Sequence, residues 1–173
     1  MSDLRRQLCE SLKGRVCLMG LGNVDLGDDG FGVRLGEELA AAGVSGVIIA
    51  GTAPDRYLGG VVDEGYEHLV FLDAVEFGGA PGSVILLDSG EMAVRFPQVS
   101  THKISLGVWA MWVEATGRTK VWLLGVQPES LKPGQGLTPT LQTTLASLCE
   151  ILSGLMPLRR KEVAIEISEE MTA

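Results

Sequence analysis

Short apolar runs, each ending at or near a glycine, alternate along this chain with stretches of amphipathic spacing, and that alternation restricts the fold more than any other feature. Val16-Cys17-Leu18-Met19 runs into Gly20, and Val47-Ile48-Ile49 leads to Gly51-Thr52-Ala53-Pro54. His68 to Leu72, Ser83 to Leu87 and Lys120 to Val126 repeat the pattern. Apolar runs this short, bounded by turn residues, read as buried strands. Between them, Phe31 to Ala42 interleaves Phe31, Val33, Leu35 and Leu39 with Arg34, Glu37 and Glu38, which is helical spacing. Ile104 to Thr116 carries a stripe of Leu106, Trp109 and Val113 and stops at Gly117. A last helix spans Thr140 to Leu152, after Pro139. Strands and helices in this order predict an α/β fold of three layers: a mostly parallel, twisted sheet of about five strands with helices on both faces.

Hydrophobic residues make up 46% of the 173, enough to fill one core, so residues 1–156 read as one domain and 157–173 as a charged, frayed tail. The 22 acidic residues outnumber the 14 basic ones, for a net charge of −8. Such a chain repels phosphate backbones, which argues against nucleic acid as a partner. No apolar run reaches the ~18 residues that cross a bilayer, and the first residues lack the apolar stretch of a secretory signal. Cys9, Cys17 and Cys149 are too scattered for a disulfide framework or a zinc ribbon. A cytoplasmic monomer without membrane partners is the expectation.

In a parallel sheet, ligands bind beyond the carboxyl ends of the strands. The loops after Met19, Leu72 and Val126 are therefore where chemistry belongs. The first reads Gly20-Leu21-Gly22-Asn23-Val24-Asp25-Leu26-Gly27-Asp28-Asp29-Gly30. Gly20 and Gly22 match the start of a dinucleotide fingerprint, but Asp25 replaces its third glycine, and Asp28 and Asp29 would repel a pyrophosphate. The same carboxylates attract a cation. Their structural alternative is capping of the following helix. Asp73 follows the third strand, where an unpaired carboxylate is costly to bury. It either meets a cation or accepts amides of its own loop. His102, in Ser100-Thr101-His102, suits a metal ligand, a general base or a polar cap. Two aspartates and one histidine form a ligand set for a first-row divalent ion.

The remaining candidates read as structural. His68 is a surface or edge residue, and Cys17 and Cys149 are core thiols. Trp109 and Trp112 pack a helix onto the sheet. Asp88-Ser89-Gly90 looks like the motif of pepsin-like proteases, but it contradicts the α/β pattern and reads as a turn.

Taken in order, these segments resemble the nickel–iron hydrogenase maturation endopeptidases. The resemblance rests on Gly20-x-Gly22-Asn23, Asp28-Asp29-Gly30-x-Gly32-Val33, Asp73-Ala74 with Pro81-Gly82, and Ser100-Thr101-His102. Gly125-Val126-Gln127-Pro128-Glu129 and Leu137-Thr138-Pro139 complete it. Gly51-Thr52-Ala53-Pro54 looks closest to the branch serving formate-hydrogenlyase-type enzymes. Many relatives carry an Asp just before that turn, where this chain has Ile49-Ala50.

The resemblance implies removal of a C-terminal extension from the hydrogenase large-subunit precursor after nickel insertion. It assigns Asp29, Asp73 and His102 both catalytic and metal-contacting roles. Nickel then arrives with the substrate and is held weakly or not at all by the free enzyme. The rival from another class is a non-catalytic nickel-binding or chaperone module that escorts the same subunit.

Overall fold

The computed structural model describes residues 1–96 and 105–159. Helix α1 (Ser2–Ser11) leads to β1 (Val16–Leu21), α2 (Phe31–Ala41), β2 (Val47–Gly51), α3 (Asp55–Asp63) and β3 (His68–Ala74). Then come β4 (Val84–Asp88), α4 (Ser89–Arg95), α5 (Leu106–Thr116), β5 (Lys120–Val126) and α6 (Pro139–Leu155). The strands line up as β2-β1-β3-β5-β4. All neighbours are parallel except β4, which runs antiparallel to β5 at one edge. The three-layer α/β expectation holds, with five strands.

Period-two alternation sorts each strand between two cores. Leu18, Val70, Leu72 and Leu124 face one side with Leu8 of α1, Leu35 of α2 and Leu148 of α6. Cys17, Met19, Phe71 and Leu123 face the other with Leu58 of α3, Met92 of α4 and Val113 of α5. Because β1, β3 and β5 are covered on both faces, their interiors (residues 16–21, 69–72 and 121–126) carry no charged residue. Fully burying one such Leu or Phe contributes ~1.5–3 kcal/mol.

Four local readings change. Asp88-Ser89-Gly90 does not form a turn; it opens α4. The Glu91 N–H donates to Asp88 Oδ1 at 2.9 Å, and the Asp88 N–H donates to Glu91 Oε2 at 2.9 Å, a reciprocal cap. Trp109 packs against the core, but Trp112 is 44% exposed and does not pin its helix to the sheet. The segment after 156 is anchored through Arg159. The Ser45 N–H donates to Pro157 O at 2.9 Å, and the Arg159 N–H to Gly43 O at 2.6 Å. Finally, β3 continues two residues past Leu72, so Asp73 is a strand residue in register with Gly125. Residues 160–173 lie outside the described part of the chain.

The topology also positions a crevice. From β1 the chain steps outward to β2, then returns to lay β3 on the opposite side of β1. Connections leave β1 and β3 in opposite directions, which opens a cleft beyond their carboxyl ends. No helix among the described residues is long and apolar enough to cross a membrane.

Candidate functional site

Two glycines bring the loop after β1 onto the end of β3. A Cβ on Gly32, in the first turn of α2, would lie 1.8 Å from Leu72 O and 2.5 Å from Leu21 O. Only glycine lets the helix start that close to both strand ends. Gly22 has φ +117, and a Cβ there would lie 1.8 Å from Asp29 O and 3.6 Å from Asp73 Oδ1. Asp29 and Asp73, 44 positions apart by their numbers, thus share one corner of the cleft.

The adjacent acids have different fates. Asp28 is fully buried, and its carboxylate accepts four hydrogen bonds from the loop between β5 and α6. Glu129 N and Ser130 N donate to Oδ2 at 2.9 and 3.0 Å. Thr138 N donates to Oδ1 at 2.7 Å, and the Thr138 hydroxyl to Oδ2 at 3.0 Å. Four donors match the roughly four lone-pair sites of a carboxylate, which leaves nothing for a cation. Asp29 accepts one bond, from the Asn23 N–H to Oδ2 at 2.9 Å. Its Oδ1 meets no donor among the described residues. Neither acid caps its own helix, so the capping alternative does not hold here.

Asp73 is buried at 6% exposure. Burial holds its carboxyl well above the usual carboxylate range, the Asp29 charge pushes it further, and the Ala74 N–H partly opposes both. No basic side chain pairs with it among the described residues. The amide that acts on it is the Ala74 N–H, at the end of β3 itself.

Gln127, quoted above only as part of a motif, organises the rest of the rim. It is buried. Its Oε1 accepts the Phe77 and Gly79 N–H groups at 2.9 and 3.2 Å, and its Nε2 donates to Glu76 Oε2 at 2.6 Å. The loop leaving Asp73 is thereby shaped by the strand end beside it. A buried amide directly after an apolar strand was the available signal.

His102 lies outside the described residues. Among the described residues, no three His, Cys, Asp or Glu side chains form a metal-holding group. His68 sits at the opposite end of the sheet, at the start of the interior strand β3 rather than at an edge. Its Nε2 donates to Lys13 O at 3.0 Å and its Nδ1 accepts the Trp122 indole N–H at 3.1 Å, a structural role. Cys17 is buried, which pushes its thiol up to about 12.

The chain as a whole has counterparts in known proteins. A sequence model described as hydrogenase maturation protease (HycI) matches residues 33–155. The chain belongs to the hydrogenase maturation protease family. The Hydrogenase 2 maturation protease of Escherichia coli K12 is 33% identical over 150 residues, covering 82% of this chain and 90% of that protein. The Hydrogenase 3 maturation protease of the same organism is 29% identical, covering 79% and 88%. Among solved structures, the crystal structure of a [NiFe] hydrogenase maturation protease HycI from Thermococcus kodakarensis KOD1 superimposes with a TM-score of 0.78. It is 27% identical, over 86% of this chain and 97% of that one. The hydrogenase maturating endopeptidase HybD from E. coli gives a TM-score of 0.67 at 32% identity, over 82% and 92%. As a hydrogenase maturation protease, the chain is a hydrolase of peptide bonds.

Proposed function

We propose that this chain is an endopeptidase that removes the C-terminal extension of a nickel–iron hydrogenase large-subunit precursor after nickel insertion. Asp73 carries the reading. It is a carboxylate buried at the end of a central strand, next to a second carboxylate and without a paired cation among the described residues. Family membership favours this over a non-catalytic escort.

In this reading nickel is part of the substrate, and the free chain holds it weakly or not at all. Asp29, Asp73 and His102 complete its sphere from the enzyme side, while thiolates of the precursor hold it from the other. Carboxylate and imidazole donors suit such an ion. A docking cation favours the ionised form of Asp73, opposing the burial that pushes its carboxyl up. Hydrolysis then adds hydroxide to the scissile carbonyl carbon and a proton to the departing nitrogen. Holding the bond against the carboxylates supplies much of the rate. The enzyme is thus aspartic in its protein groups and nickel-dependent through its substrate. Three free cysteines fit a reducing compartment, and we infer a cytoplasmic monomer.

The test is incubation with nickel-loaded precursor, followed by intact-mass spectrometry. Loss of the extension is expected, and an intact precursor would favour the escort module. Nickel-free precursor should stay uncut; its efficient cleavage would overturn the gating but not the peptidase assignment.

A further inference from the structure

Strand β4 ends the sheet, so alternate residues of it turn their N–H and C=O groups away from β5. Exposed edges are normally guarded by charge or proline. This one reads Val84-Ile85-Leu86-Leu87 before its only charge, Asp88 at the far end, and has no proline. The edge lies in a groove of about 690 Å³, walled by Met1, Leu4 and Gln7 of the N-terminal helix region and by Arg95 at the end of α4. The wall helices belong to opposite layers: Leu4 and Leu8 of α1 join one core and Met92 of α4 the other. A recess flanked on both sheet faces admits a single extended chain.

The groove also joins the candidate site. Its near end, Gly82-Ser83, is tied to Gln127: the Gly82 N–H donates to Gln127 O at 2.9 Å and the Gln127 N–H to Ser83 O at 2.9 Å. Gln127 in turn shapes the loop that leaves Asp73. A strand added outside β4 would be three strand spacings from β3, or ~14 Å. An extended chain covers that in about four residues. Arg95 forms no ion pair among the described residues, whereas Asp3 on the opposite wall is paired with Arg6, so the Arg95 wall offers a cation to an acidic side chain.

The geometry points to strand addition: an extended, unfolded segment of the polypeptide substrate, beyond its scissile bond, pairs with the outer edge of β4. Its side chains alternate between the Leu4 wall and the Arg95 wall, and apolar residues with an acidic one toward Arg95 fit best. This inference rests on the peptidase reading above and names a docking subsite for it.

Amide hydrogen exchange of the full chain, with and without a synthetic peptide copying the C-terminal segment of a nickel–iron hydrogenase large-subunit precursor, tests it. Slower exchange within residues 84–88 is expected; unchanged exchange there overturns the inference. Protection of the same amides without peptide, rising with protein concentration, would assign the edge to a second copy and also overturns it. Independently, Gln7→Trp, an exposed change on the groove wall, should raise KM for nickel-loaded precursor about tenfold with kcat unchanged. An unaltered KM in a normally melting variant contradicts the proposal. The two readings fail separately. Cleavage by wild type with β4 unprotected removes only the docking subsite, whereas peptide protection of β4 without cleavage removes only the peptidase.

Discussion

Asp28 and Thr138, 110 positions apart in the chain, are joined by two hydrogen bonds, from the Thr138 N–H at 2.7 Å and from its hydroxyl at 3.0 Å. The pair clasps the loop between β1 and α2 to the start of α6. It also separates two adjacent, chemically identical acids into a structural one and an available one.

Asp28→Ala should therefore destabilise the chain by about 3–5 kcal/mol, because buried donors lose their acceptor together. Asp29→Ala loses a single backbone donor's bond and should cost only ~1 kcal/mol, while processing disappears. Urea denaturation of the two variants is the measurement. Equal losses of stability would show that the clasp is not a clasp.

Asp73→Asn should melt higher than wild type near neutral pH and yet fail to process precursor. Burial and Asp29 raise the folded-state value, so the folded chain holds this proton more tightly than the unfolded one. Stability from that difference is complete below the unfolded carboxylate value of ~3.9 and is lost as pH rises through the raised folded value. Asparagine keeps the shape without the charge, so the two melting curves should converge in acid and diverge toward neutrality. A variant that melts below wild type at neutral pH would contradict this.

Gln127→Ala should loosen the rim without unfolding the sheet. Phe77 and Gly79 lose their common acceptor, so their amides should exchange faster, and turnover should fall about tenfold through lost positioning. Gln127→Glu keeps an acceptor but faces Glu76, and should fall between alanine and wild type. Exchange rates at those two amides, followed by NMR, decide the matter.

Alkylation should distinguish the cysteines. Cys9 is exposed and should react readily, whereas Cys17, buried and with its thiol pushed up to about 12, should react only on unfolding. Mass spectrometry after a short iodoacetamide pulse reads the difference. Rapid labelling of Cys17 in native buffer would show that the second core opens locally.

Sequence by itself determined the strands and where the candidate site lies along them. Val16 to Met19, Leu69 to Leu72 and Val121 to Val126 are apolar because both faces of a central strand are covered, and that demand is written residue by residue. Asp29 and Asp73 were legible as site candidates because a carboxylate beside a buried strand end is conspicuous. The reciprocal cap of Asp88 and Glu91 was missed as a turn, although their spacing of three is the signal of a capping box. Helix α3 was not legible: Leu58 and Val61 are its only buried side chains, too few to establish a period. The tertiary structure alone decided that Asp28 is clasped while Asp29 is available, that Gln127 shapes the rim, and that β4 closes the sheet as an antiparallel edge. Local spacing records which face of an element is apolar. Partners across 50 or 110 positions depend on how the strands are ordered and how closely Gly22 and Gly32 let the loops approach, and that exists only once the chain has closed on itself.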